Sequence, residues 1–341
     1  MSGLWPFARP FLFGLDAETA HRLALRALAA GVMPRAPAPD PKLRQRLLGL
    51  DFANPLGMAA GLDKNGEVPD AVLGLGFGFV EVGTVTPRPQ TGNPPPRLFR
   101  LVEHEALINR LGFNNEGHDA VHARLAKRTR RGIVGVNVGA NKDSPDRIAD
   151  YALGVERFAG VADYIAVNIS SPNTPGLRNL HEANDLAALL KTVVATRDGA
   201  EHRVPLLVKI SPDLDDDALA AVVRIAAASG VEGLIVTNTT VSRDGVAGHP
   251  LAGEAGGLSG RPLFGKSTAM LAKVRRLAGS DLVLVGVGGI DSAEAALTKI
   301  LAGADLLQLY TGMIYRGPGL AREIVAGLPR LLAARQTASI D

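Results

Sequence analysis

The sequence predicts an α/β protein: a (β/α)8 TIM barrel with a small N-terminal helical extension. Three observations lead there. From about residue 51 onward, short β-rich runs alternate with helical patterns, the signature of parallel βα units. Eight such runs can be counted, the number that closes a barrel whose functional site lies at the carboxyl ends of its strands. The chain has 341 residues, 39 glycines, 22 prolines and no cysteine, enough for one large core without disulfides and rich in the residues that short strand–helix junctions need. The competing topology built from the same units is a doubly wound sheet.

Taken in order, residues 1–48 form the extension and 49–341 the barrel. The extension opens with Trp5, Phe7, Phe11 and Phe13 and continues into DAETAHRLALRALAAG. Leucines on one face and arginines on the other suit a helix lying in a membrane interface. The plain alternative is a pair of cap helices packed on the barrel. Residues 1–50 carry a net charge of +4 and the remainder −1, so the positive charge is concentrated where an anionic lipid surface would meet it, at about 1 kcal/mol per basic residue near that surface. No run of 18 apolar residues exists to span a bilayer. Pro6, Pro10, Asp16 and Glu18 argue against a signal peptide, and Ser2 in place of glycine removes the myristoylation pattern. No Lys/Arg run is interleaved with stacking aromatics, so nucleic acid is not an expected partner.

Strands are expected near 55–60, 78–83, 132–138, 163–168, 205–210, 232–237, 281–287 and 304–310. Helices are expected at 144–159, 183–197, 215–229, 263–278 and 291–302, with Ser144, Asp215 and Asp291 as caps. Two excursions break the rhythm: proline-rich 86–113, with short strands of its own, and glycine-rich 240–262. Long loops at the catalytic rim are more often lids or binding loops than accidents.

The chemistry gathers at strand ends. Residues 164–176, YIAVNISSPNTPG, run from a buried strand into Asn168, Ser170, Ser171, Asn173 and Thr174, a neutral hydrogen-bonding surface suited to a flat heterocycle with amide edges. LIVTNTT adds Thr237, Asn238 and Thr239, and PLLVKIS places Lys209 inside an apolar run. A lysine seldom sits in a buried strand unless an anion awaits it. Lys64 in AAGLDKNG can face a carboxylate, its plain alternative being a solvated loop lysine paired with Asp63. GVGGI (Gly286, Gly288, Gly289) and LYTG (Tyr310 to Gly312) end the seventh and eighth strands, where barrels commonly hold a phosphate on backbone N–H groups. The spacing does not fit a GxGxxG fingerprint. HDAVH, His118 to His122, imitates a zinc helix but has no third ligand, and no metal is expected.

These motifs carry a resemblance. AAGLDKNG, EVGTVTPRPQTGNPPPRLFRL, INRLGFNN, VNISSPNTPGLR, TNTT, GGLSGRPL, GVGGI and LYTG follow one another across nearly the whole chain. In this the sequence resembles the class 2, quinone-dependent dihydroorotate dehydrogenases, with no departure in the core motifs. The resemblance implies an FMN-bearing barrel that oxidises (S)-dihydroorotate to orotate in pyrimidine synthesis and passes electrons to a membrane quinone. It makes Ser171 the base that takes a C5 proton while hydride leaves C6 for flavin N5, helped by Thr174, Phe113 and a water. Without it, Ser171 reads as a turn residue. The implied substrate cradle is Lys64, Asn109, Arg110, Leu111, Gly112, Phe113, Asn168, Asn173, Asn238 and Thr239. The implied FMN contacts are Ala60, Gly61, Leu62, Asp63, Lys64, Thr84, Asn137, Asn168, Lys209, Thr237, Gly260, Gly289, Tyr310 and Thr311. On the quinone side stand His21, Arg100 and Tyr310, with the extension as a two-helix tunnel mouth lying peripherally on the cytoplasmic side of a bacterial cell membrane.

Cysteine usage separates the close alternatives. Soluble class 1 relatives use a cysteine base, lack the extension and in one subgroup require an iron–sulfur partner subunit; here serine stands in that place, and no such partner is expected. A dihydropyrimidine-type reductase would want a cysteine acid, and a hydroxy-acid oxidising FMN barrel a His/Arg pair at the strand ends. A non-catalytic phosphate-binding barrel docked on membranes is the alternative of a different class.

Overall fold

The computed structural model describes residues 5–33, 35–129, 131–173 and 181–338. The N-terminal helices are α1 (Trp5–Gly14) and α2 (Ala17–Ala29), followed by a hairpin of β1 (Gln45–Leu47) and β2 (Leu50–Phe52). Next come β3 (Leu56–Met58), α3 (Pro69–Leu73), β4 (Phe79–Val85), β5 (Leu98–Leu101), β6 (Ala106–Asn109), α4 (Gly117–Ala126), β7 (Ile133–Val138) and α5 (Arg147–Phe158). The chain continues through β8 (Tyr164–Asn168), α6 (Ala183–Gly199), β9 (Leu206–Ile210), α7 (Asp216–Ser229), β10 (Gly233–Val236), β11 (Gly257–Gly260) and α8 (Phe264–Ala278). It ends with β12 (Val283–Val287), α9 (Ala293–Leu301), β13 (Leu306–Leu309), α10 (Thr311–Arg316) and α11 (Leu320–Ala338).

Strands β3, β4, β7, β8, β9, β10, β12 and β13 pair in chain order, all parallel, and β13 closes on β3 through Leu307 opposite Leu56. Every residue of β4, β7, β8, β9 and β10 is buried, because helices cover one side of each strand and the barrel interior the other. Two apolar cores follow from that geometry. The larger lies between strands and helices; the smaller fills the barrel around Phe79, Tyr164, Leu207 and Ile235. The β1–β2 hairpin stoppers the amino-terminal end of this interior, with Phe52 edge-on to Phe79 at 5.4 Å between ring centres. It straddles positions 48 and 49, so residues on both sides pack against the barrel floor.

The helix starts follow side-chain capping, and two differ from the expected caps. Asp215 does cap α7 by accepting from the Ala218 N–H. The cap of α5 is Asp146, not Ser144, and the cap of α9 is Ser292, not Asp291. In each case the residue whose oxygen reaches the N–H three positions on wins; Asp291 is engaged with Arg261 instead. The two excursions are one object: β11 from the second pairs antiparallel with β6 from the first, and β6 with β5. This small sheet stands over the carboxyl ends of the barrel strands. The HDAVH segment lies on α4, where His118 and His122 pack against Phe158. No cluster of His, Cys, Asp or Glu able to hold a metal occurs among the described residues.

Candidate active site

At the carboxyl ends of the strands a cavity opens between the barrel and the three-stranded sheet. Ala60, Gly61, Lys64, Thr84, Asn109, Leu111, Gly112, Phe113, Asn168, Ser171, Asn173, Lys209, Thr237, Asn238, Thr239, Gly260, Gly289, Tyr310 and Thr311 all line it. Four expected residues lie elsewhere. Leu62 faces a neighbouring apolar cavity. Asp63 is turned into its own loop, where it accepts from the N–H groups of Glu67 and Val68 at 2.9 and 2.7 Å. Arg110 points away to pair with Glu254 at 2.5 Å and stack on Phe99. Asn137 lies one layer below, under Thr84. Thr174 falls outside the described residues.

The polar groups form a connected network. Asn238 Nδ2 donates to Ser170 Oγ at 2.9 Å and to Asn168 Oδ1 at 3.3 Å. Asn168 Nδ2 donates to Thr84 Oγ1 at 2.9 Å, and Thr84 donates on to Asn137 Oδ1 at 2.5 Å. The network ends on Glu81, fully buried in the barrel interior, which accepts from Asn137 (2.8 Å), Tyr164 (3.0 Å) and Gln308 (2.8 Å). Sequence reading missed Glu81, Tyr164 and Gln308. The signal was available, since an acid within the apolar run FVEVGTV breaks the same rule that singled out Lys209. On the other wall Asn173 Nδ2 donates to Asn109 Oδ1 at 3.1 Å, and the buried Asn173 Oδ1 has no partner among the described residues.

Both lysines bring a positive charge to the cavity wall. Lys209 is 6% exposed, and its side-chain amine makes no hydrogen bond or ion pair among the described residues. Burial pushes its amine below the ordinary lysine value, while the charge of Glu81 pulls it back up. Lys64 is not the solvated partner of Asp63: its Nζ donates to the Gly61 carbonyl at 2.9 Å, and burial pushes it down to about 8. Ser171 is 5% exposed, and its Oγ accepts from the Asn173 N–H at 3.2 Å. Phe113 holds a left-handed backbone at φ 54°, with its carbonyl bound by Asn115 Nδ2 at 2.7 Å. That conformation costs a side-chain-bearing residue roughly 1–2 kcal/mol, and it turns Phe113 toward the cavity.

Behind Tyr310 lies a second, apolar cavity between α1, α2 and the barrel, which shares Leu98, Leu107 and Tyr310 with the first. His21 and Arg100 line it. His21 Nδ1 lies 3.3 Å from the Tyr310 hydroxyl, and burial drives the imidazole down to about 3, so it is neutral at physiological pH. Arg100 anchors the α1–α2 turn by donating to the carbonyls of Phe13 and Leu15 at 3.1 and 2.9 Å. Glu18 on α2 takes a two-point ion pair from Arg97 at 2.6 and 3.0 Å. The helices are thus docked on the excursion sheet, while Phe7 and Phe11 remain 80% and 72% exposed. No helix among the described residues is long and apolar enough to cross a membrane.

A closed parallel barrel with a polar cavity at its strand ends, roofed by its own excursions and backed by an apolar chamber, defines the class: a barrel enzyme with two adjoining sites. The chain belongs to the dihydroorotate dehydrogenase family, whose sequence profile matches residues 42–332. It is 58% identical over 338 residues to a protein of Rhizobium etli named dihydroorotate dehydrogenase (quinone), covering 98% of this chain and 93% of that one. A protein of Agrobacterium fabrum with the same name is 56% identical over 339 residues, with the same coverage. Among solved structures, DHODH from Eimeria tenella in complex with ferulenol superposes with a TM-score of 0.91 at 38% identity, covering 95% of each chain.

Proposed function

We propose that the chain oxidises (S)-dihydroorotate to orotate, with FMN as the first electron acceptor and a membrane quinone as the last, in pyrimidine synthesis. The observation that carries this reading is the pair of adjoining cavities, one polar and one apolar, meeting at Leu98, Leu107 and Tyr310. One suits a planar polar acid; the other suits a lipid-soluble ring. The residues fit a phosphorylated flavin: Lys209 lacks a partner, and the Gly288 and Gly289 N–H groups at the cavity edge have no acceptor among the described residues. When bound, FMN supplies a two-electron acceptor that can be reoxidised by quinone.

The chain's own residues then do the following. Lys64 pairs with the substrate carboxylate, and Asn109, Asn168, Asn173 and Asn238 bind the amide edges of the pyrimidine. Asn173 Oδ1 is available for a ring N–H. Ser171 Oγ removes the C5 proton as the C6 hydrogen leaves with its electron pair, forming the C5–C6 double bond. A serine hydroxyl is a weak base, so the step needs a place for the hydroxyl's own proton and a stabiliser for developing negative charge. The Asn173 N–H bonded to Oγ supplies the second, and Thr174 with a water is assigned the first. Lys209 would hold the flavin, its positive charge offsetting negative charge on the ring.

The extension, residues 1–48, belongs to the quinone half of the reaction. Its exposed Phe7 and Phe11 enter the interface of an anionic membrane on the cytoplasmic side, and quinone reaches Tyr310 past His21 and Arg100. No iron–sulfur subunit takes part. The test is direct: purified protein should be yellow, release FMN on denaturation, and form orotate beyond one equivalent per flavin only when a quinone analogue is present. Colourless protein that takes up no added FMN refutes the reading.

A further inference from the structure

Lys299, in the last turn of α9, is 0% exposed, and no carboxylate pairs with it among the described residues. Its Nζ donates to Ser267 Oγ at 2.6 Å, lies 3.4 Å from the Val287 carbonyl oxygen and stands 5.2 Å from the centre of the Phe264 ring. Burial alone pushes the amine down to about 7. An isolated charge in a protein interior costs several kcal/mol unless an anion or oriented dipoles compensate it.

What Lys299 holds is the back of the GVGGI loop. Ser267, also fully buried, places its Oγ 3.2 Å from both the Gly288 and the Phe264 carbonyl oxygens, which share its one proton. A trans peptide is planar, so its carbonyl and its N–H point in opposite directions. With the Val287 oxygen drawn toward Lys299, the Gly288 N–H faces the other way; with the Gly288 oxygen held by Ser267, so does the Gly289 N–H. Both residues line the active-site cavity, and neither N–H has an acceptor among the described residues. The close grip explains the glycines: a Cβ on Gly288 would meet Ser267 Oγ at 2.7 Å, one on Gly289 would meet Phe264 Cα at 2.7 Å, and both have positive φ (108° and 75°).

We propose that Lys299, through Ser267, is a positioning residue for the anionic end of the cofactor: it fixes the Gly288–Gly289 loop with two N–H groups facing the cavity and supplies the buried positive charge behind them. The inference rests on the FMN reading and deepens it. A phosphate seated on the loop favours the charged form of the amine, and the resulting cation on the carbonyl side polarises both peptide groups toward that phosphate through a weakly screened interior. The loop's selectivity for a phosphorylated flavin then resides in charge that never touches the ligand.

The test compares Lys299→Met and Ser267→Ala with the unaltered chain, using FMN and riboflavin as probes. Diluting each holoprotein and following the recovery of free-flavin fluorescence should show FMN leaving Lys299→Met roughly 10- to 100-fold faster, with Ser267→Ala intermediate. The thermal stabilisation conferred by excess riboflavin, which lacks the phosphate, should be the same in all three. Removing an uncompensated buried cation for an apolar side chain of similar length should leave the flavin-free protein at least as stable. Unchanged FMN release in Lys299→Met, or an equal loss of riboflavin stabilisation, overturns the proposal. If the unaltered chain binds neither flavin, the cofactor reading itself has failed, and this inference falls with it.

Discussion

If Lys64 takes the substrate carboxylate as proposed, binding should be pH-sensitive in a direction that follows from the structure. Its amine is displaced from 10.5 to about 8, chiefly by burial, with Arg97 adding to the fall and Glu18 and Asp63 opposing it. That net displacement corresponds to about 3 kcal/mol against the charged form, and partial exposure of the side chain makes this an upper bound. A carboxylate docked on the ammonium favours the charged form and returns the pKa upward. Below about pH 8 the lysine is charged before binding, and affinity for orotate should be flat. Above it, the free site is neutral and must take up a proton to bind, so affinity should fall by up to tenfold for each further pH step, until the pKa of the bound state is reached. Lys64→Met should lose roughly 10- to 100-fold in orotate affinity near neutral pH and show no pH dependence there. Calorimetric titration of orotate between about pH 6.5 and 10 measures both. A wild-type affinity that stays level across this range, or a Lys64→Met variant that binds as tightly, would refute the assignment.

Further expectations bear on other parts of the site. Ser171→Ala should retain flavin and orotate but reduce flavin roughly 100- to 10,000-fold more slowly in a stopped-flow experiment, the usual range for losing a general base; unchanged kinetics remove Ser171 from that role. Glu81→Gln sets an amide N–H₂ among three donors and should cost about 1–3 kcal/mol of stability, read as a lower denaturant midpoint at constant slope. No change would mean the interior network is relaxed by water. A chain lacking residues 1–33, with the β1–β2 hairpin kept, should no longer co-sediment with anionic vesicles, and undiminished binding would count against the interfacial role of α1 and α2.

The barrel was legible because its signals are local and repeated. Each expected strand run contains the observed strand to within a residue or two, since β-branched runs such as IVGVNV and LLVKI admit little else between glycine and proline punctuation. The caps were less legible. DSPD and DS each offer more than one side chain with a capping oxygen, and only backbone geometry decides which reaches the third N–H on. The pairing of β6 with β11 joins segments about 150 residues apart, a contact that no window of sequence contains. Site residues at strand ends, such as Asn168, Lys209 and Thr237, could be read because position on the strand predicts where they point. Arg110 shows the limit: it sits in the motif INRLGF, yet its guanidinium turns outward because Glu254, in the other excursion, waits there. Lys299 escaped notice for the opposite reason, as TKIL in an amphipathic helix reads as a solvated lysine until the fold buries it under the glycine loop.

The central claim is that two half-reactions occupy two adjoining cavities, and Ala20 lines only the apolar one. Ala20→Trp should plug that chamber without touching the polar site. In an anaerobic double-mixing experiment, dihydroorotate should bleach the flavin of this variant at the unaltered rate, while a quinone analogue should restore its colour at least about tenfold more slowly. Recolouring at the original rate, or bleaching slowed to the same degree, would contradict the division of labour on which the account stands.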